Sequence, residues 1–163
     1  MPDPFLESYG GQTTDELLAL EGRYRTDSLV LAFEQAIQSK PSPSTLEQFV
    51  LAIEALEREV NNGGYSQFFL NSSGEFAGIT EEALRSIGCP KTADITRTAI
   101  AAIAPDGNLN ADVLASAAAA PTEDVEQALA ECDNRYFAND EPIADRLFEW
   151  IKANRSRIRV GDA

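Results

Sequence analysis

Apolar residues recur at intervals of three and four along nearly the whole chain and do not alternate in the two-residue rhythm of a strand. Leu29, Val30, Phe33 and Ile37 trace one such face, and Leu46, Phe49, Val50, Ile53, Leu56 and Val60 trace the clearest. Further faces follow at Ile95, Ala99, Ala102 and Ile103, in an alanine-rich run near 110–119, and at Ile143, Leu147, Trp150 and Ile151. Boundary signals fit these periods. Thr13 to Glu16 and Ser44 to Glu47 each read as a capping box, in which a hydroxyl and a carboxylate exchange backbone donors at a helix start. Pro41 and Pro43 end the second helix, Thr80 is expected to open another that Gly88 and Pro90 close, and Pro121 suits a first helical turn. The expectation is an all-α fold, one domain over residues 1–163, with about eight or nine helices.

One stretch breaks the pattern: "EREVNNGGYSQFFLNSSGE", Glu57 to Glu75. Glu57 stands four residues after Ile53 and three before Val60, so helical geometry sets it within the apolar stripe. A carboxylate there needs hydrogen-bond donors, since an unpartnered buried charge costs several kcal/mol. Asn61, Asn62, Gly63 and Gly64 read as a helix end in a left-handed conformation, after which Tyr65, Gln67 and Asn71 would start a short second helix with free amides. The expectation is that Glu57 is mostly buried and bonds the turn at Gly63–Gln67 or the amides of Gln67 and Asn71.

Composition narrows the chemistry. Against 27 Asp and Glu stand 13 Lys and Arg, for a net charge of -14, with no histidine. Residues 98–134 hold seven carboxylates and no base, and residues 1–22 hold five and none. Binding to nucleic acid phosphates draws on clustered Lys and Arg, so direct nucleic acid binding is not expected and a partner, if there is one, is basic. Lys152, Arg155, Arg157 and Arg159 crowd the end of the sequence, and the first three are expected to offset the negative pole of the last helix. Neither an export signal nor a membrane span is visible, so a cytoplasmic protein is expected, with Cys89 and Cys132 as reduced buried thiols.

An alternative makes Glu57, Glu59, Asn61, Asn62, Gln67 and Asn71 an active site. General acid-base and covalent chemistry usually recruit His, an activated Cys or Lys, or a metal. No Cys-x-x-Cys pair, metal loop or glycine-rich phosphate loop occurs. The expectation is therefore a protein that is not an enzyme, with no cofactor and no metal.

The same residues carry a family resemblance. "EREVNNGGYSQFFLNSSGE" followed by "EEALRSIGC", with "ECDNRYFANDEPIADRLFEWIKAN" downstream, resembles the two signature blocks of a bacterial family first catalogued as a domain of unknown function, which includes a nineteen-kilodalton DNA mimic protein. The resemblance spans roughly residues 45–155. It implies an all-helical fold, with Glu57, Asn61, Asn62, Gly63, Gly64, Tyr65, Gln67 and Asn71 as a structural motif. From the DNA mimic member it implies an acidic homodimer that occupies the DNA-binding face of a transcription factor.

Mimicry requires carboxylates at phosphate-like intervals on a rigid surface. Three groups are candidates for partner binding: Glu47 with Glu54; Glu123, Asp124, Glu126, Glu131 and Asp133; and the four-residue series Glu141, Asp145 and Glu149. Each could equally be an ordinary solvated helix face. The functional expectation is an acidic module that binds the basic surface of a DNA-binding protein and regulates it. The alternative is an immunity protein that neutralises a bacterial toxin.

Overall fold

A computed structural model describes residues 2–161 of the chain; of Ser72 and Ser73 only the backbone is described. The protein is all-α. Eight α-helices account for its regular structure among the described residues: α1 Thr14–Leu18, α2 Thr26–Gln38, α3 Thr45–Leu70, α4 Ala77–Ser86, α5 Pro90–Ile103, α6 Ala111–Ala119, α7 Glu123–Ala138 and α8 Ile143–Ala153. A short 3-10 helix, Ser72–Phe76, joins α3 to α4.

The chain divides into two compact units, residues 1–54 with 142–163, and residues 55–141. In the first, α1, α2, the start of α3 and α8 enclose Leu17, Leu29, Phe33, Ile37, Val50, Ile53, Leu147 and Ile151, all essentially fully buried. Phe49 stacks on Trp150 with ring centroids 6.2 Å apart. A segment after α8 is clipped to this unit by both backbone and side chains. The Thr14 hydroxyl donates to Ile158 O (2.8 Å) and accepts from Val160 N (2.9 Å), and both apolar side chains are buried. The second unit packs α5 against α4 and α7, around Leu56, Val60, Tyr65, Phe68, Phe69, Leu84, Ala93, Ala99 and Leu129.

Sequence signals and helix ends agree in most places. The Thr13 capping box forms, with Glu16 N on the Thr13 hydroxyl and Thr13 N on Glu16. Gly88, at φ +85°, ends α4 where expected, and Pro90 opens α5. Two boundaries differ. Helix α4 begins at Ala77 and not at Thr80, because the 3-10 turn feeds straight into it and Thr80 instead returns its hydroxyl to Phe76 O (2.6 Å). Pro121 precedes the cap of α7 and does not enter the helix; Thr122 is the cap, taking Val125 N at 3.2 Å.

Candidate functional site

Helix α3 bends sharply within the second unit. Gly63 (φ -156°, ψ 17°) and Gly64 (φ 77°, ψ -176°) leave helical geometry, and the helix resumes at Tyr65. Gly64 lies in the left-handed half of the map, where a side chain is strained. A Cβ there would also collide with the Asp133 carboxylate, and one at Gly63 with the Gln67 side chain. The double glycine is therefore needed twice over, for its backbone angle and for the close approach of α7 and of Gln67.

Three carboxylates hold the bend, and they do not share the work as the sequence suggested. Glu57 was expected to bond the turn at Gly63–Gln67; it accepts instead from the Tyr136 hydroxyl on α7 and, at 3.3 Å, from Asn61 Nδ2. Asn61 Nδ2 also donates to Glu57 O at 2.6 Å. Glu59 receives the amides assigned to Glu57, with Gln67 Nε2 at 2.7 Å and Asn71 Nδ2 at 2.8 Å on its Oε2. Asp133 takes the first free amide beyond the bend, Tyr65 N, at 2.8 Å. The physical reason is angular: two residues along a helix turn the side chain by about 200°, so Glu59 and Glu57 look in opposite directions. Only Glu59 faces the resumed helix. Glu57 is largely buried, as expected, but it faces α7.

Tyr65 completes the joint. Its ring is fully buried, its hydroxyl pairs with Thr96 at 2.8 Å, and its edge meets Tyr136 at 6.0 Å between centroids. Burial pushes its hydroxyl far above the ordinary range, with only partial relief from Thr96. Burial likewise raises Asp133, partly offset by the Tyr65 amide, and raises Glu57 to about 7, with Asn61 offsetting little. Of the motif residues, Asn62 alone is exposed with no bond described for it. Tyr136 and Thr96, which close the joint, escaped the sequence reading, and Asp133 was expected on a partner-binding face instead, because all three lie 31 to 79 residues from their partners.

The proposed partner-binding carboxylates separate into two sets. Glu47 is buried, against the expectation of a solvent face, because Lys40 and the Arg159 amide join the Ser44 capping box: it accepts from Ser44 N (2.8 Å), Lys40 Nζ (2.5 Å) and Arg159 N (3.1 Å). Burial opposes its ionisation, but these donors outweigh it and hold the carboxyl below its ordinary value. Glu54 is half-buried and engaged. Asp133 is half-buried in the joint just described. Glu141 does not belong to α8, which starts at Ile143; it caps α5, accepting from Thr92 N (2.7 Å), the Thr92 hydroxyl (2.7 Å) and Lys91 N (3.1 Å). The expected series of Glu141, Asp145 and Glu149 on one helix therefore does not exist, because Pro142 precedes the first helical residue. Glu123, Asp124, Glu126 and Glu131 on α7 are exposed, as are Asp145 and Glu149 on α8, although Glu149 pairs with Lys152 at 3.1 Å.

Among the described residues no group of three or more His, Cys, Asp or Glu is arranged to hold a metal ion, and no helix is long and apolar enough to cross a membrane. Cys89 and Cys132 are buried and are not joined in a disulfide.

The model of the DMP19-like protein family matches residues 43–154, which include the whole of the bend, its partners on α7 and the α5 cap. The chain belongs to the DMP19-like protein family. No curated protein matches it, and neither does any solved structure. The matched span takes in the whole joint. The exposed carboxylates of α7 take no part in that joint.

Proposed function

We propose that the protein is an acidic, non-enzymatic protein-binding module that occupies the basic surface of a DNA-binding protein by presenting DNA-like negative charge. One observation supports the reading most directly. Of the seven carboxylates in residues 98–134, six are exposed, namely Asp106, Asp112, Glu123, Asp124, Glu126 and Glu131, and no base interrupts them. Four of the six lie on α7. Glu123 and Glu131 are separated by about 12 Å along the axis, at roughly 1.5 Å of rise per residue. Duplex DNA carries one charge per about 1.7 Å of axis over both strands, so a helix with several carboxylates over that length offers a comparable, if sparser, negative edge. Beneath them, α7 is bonded to the α3 bend through Asp133 and Tyr136 and packs on α5.

Direct DNA binding has little to work with. Lys152 is committed to Glu21 (2.7 Å) and Glu149 (3.1 Å), and Arg159 approaches Asp15 at 3.6 Å. Arg155 and Arg157 lie beyond the end of α8.

The test is a variant carrying Glu123→Gln, Asp124→Asn, Glu126→Gln and Glu131→Gln. Partners captured from native extract on the wild-type protein are identified, purified and titrated against both forms at several salt concentrations. The reading expects the variant to lose at least tenfold in affinity and much of its salt dependence, with an unchanged melting curve. Equal affinity for both forms would end the role of α7, and a captured secreted toxin whose binding ignores salt would favour the immunity alternative.

A further inference from the structure

Glu57 is a carboxylate without a cation. Among the described residues no basic side chain pairs with it, and its described partners are two neutral donors, Tyr136 Oη and Asn61 Nδ2. Of the titratable groups that share the joint, Asp133, Cys132 and Tyr136 come from α7 and Tyr65 from beyond the bend; the bases of these helices act elsewhere, Arg135 of α7 on Cys132 and Arg58 of α3 toward Glu59 at 4.0 Å. Thr96, from α5, contributes only a hydroxyl to Tyr65. Both contacts that fix α7 to the bend end on a carboxylate, Tyr65 N on Asp133 and Tyr136 Oη on Glu57. They sit one helical turn apart on α7, with the Tyr136 and Tyr65 rings in nearly perpendicular contact. Ionising Glu57 in the closed joint sets a charge in a largely buried place where its described partners are neutral.

We propose that this joint is a proton-linked latch: Glu57 holds a proton while α7 is seated on the α3 bend and releases it to solvent when α7 lifts. The hinge is already present in Gly63 and Gly64, whose backbone has left the helix. Burial, which raises Glu57 to about 7 from an ordinary 4.5, sets the window. The closed joint binds the proton more tightly than the open one, so opening grows with pH between the two values and levels off above about 7. Opening should rise by up to about tenfold per pH unit in that window, and roughly a hundredfold or more in all. Its consequence for the partner rests on the reading above: the α7 carboxylates are held most firmly at the acid end of the window.

The experiment uses the full chain, without a partner. Carboxyl carbon shifts of the glutamates are followed by NMR from pH 4 to 9, with Glu57 assigned through Glu57→Gln. Exchange of the Tyr65 amide, corrected for intrinsic rate, is measured over the same range. The latch expects a Glu57 midpoint near 7, a Tyr65 opening constant that climbs between pH 5 and 7 and then levels, and loss of most of that climb in Glu57→Gln. Tyr136→Phe removes a donor that favours the charged form, so it should move the midpoint higher. A Glu57 midpoint below about 5.5, or a Tyr65 profile that Glu57→Gln leaves unchanged, overturns the proposal. If Glu57→Gln does not fold, the wild-type midpoint and its displacement in Tyr136→Phe decide. These outcomes leave the α7 charge test untouched, and failure of that test leaves the latch standing.

Discussion

At the scale of the residue, three acidic side chains show how far an out-of-place charge in a sequence can be followed. Glu57 is recognisable as exceptional because it falls within an apolar stripe, and that inference uses only local geometry. Its partner is not recognisable, because Tyr136 lies 79 residues away. Glu59 is the opposite case: its surroundings in sequence are ordinary, yet it gathers Gln67 and Asn71 and is only 12% exposed. Removing it leaves two side-chain amides without their acceptor. Glu59→Ala should cost about 1–3 kcal/mol in chemical denaturation, whereas Glu59→Gln, which keeps an acceptor oxygen, should cost less. A loss within about 0.5 kcal/mol for the alanine variant would show that the resumed helix is held by Tyr65, Phe68 and Phe69 alone. Glu47 teaches a related lesson. A capping box alone leaves its glutamate exposed, as at Glu16; Glu47 is buried because Lys40 and the Arg159 amide join the Ser44 box.

At the scale of the element, periodicity and caps were enough to find the helices, since both depend on neighbours within about four residues. What local pattern could not supply was the behaviour of segments whose satisfaction comes from elsewhere. The start of α5 has no side-chain cap of its own, and its free amides at Lys91 and Thr92 are met by Glu141, 49 and 50 residues downstream. Burial works against ionisation at Glu141, but the Thr92 hydroxyl and amide, the Lys91 amide and Asn139 outweigh it and hold the carboxyl below its ordinary value. Loss of a helix cap typically costs about 0.5–2 kcal/mol. Glu141→Ala is therefore expected to destabilise the protein by that amount and to speed hydrogen exchange first at Lys91 and Thr92. Unchanged exchange at those two amides would show that Asn139 or water replaces the cap. The Gly63–Gly64 bend was legible as a helix end, but not as a joint, because its fixing point is on α7.

At the scale of the whole molecule, the decisive property is how an excess of 14 negative charges is distributed between structure and surface. Glu47, Glu57, Glu59, Asp133 and Glu141 are spent on holding the fold together, whereas the four exposed carboxylates of α7 accept no described hydrogen bond from another element. The proposed function rests on the second group and not on the first, and for that reason the structural motif cannot by itself reveal the partner. Screening limits attraction between exposed charges to about 8–10 Å at physiological salt, so a charge-mimicking face must meet the partner's DNA-binding surface directly. The most direct measurement is a competition titration: the purified partner, saturated with a labelled DNA duplex it recognises, receives increasing amounts of this protein at moderate ionic strength. The account expects the duplex to be released in full, with a midpoint that rises in proportion to the DNA concentration and shifts to higher protein concentration as salt is added. A stable ternary complex of partner, duplex and this protein would contradict it.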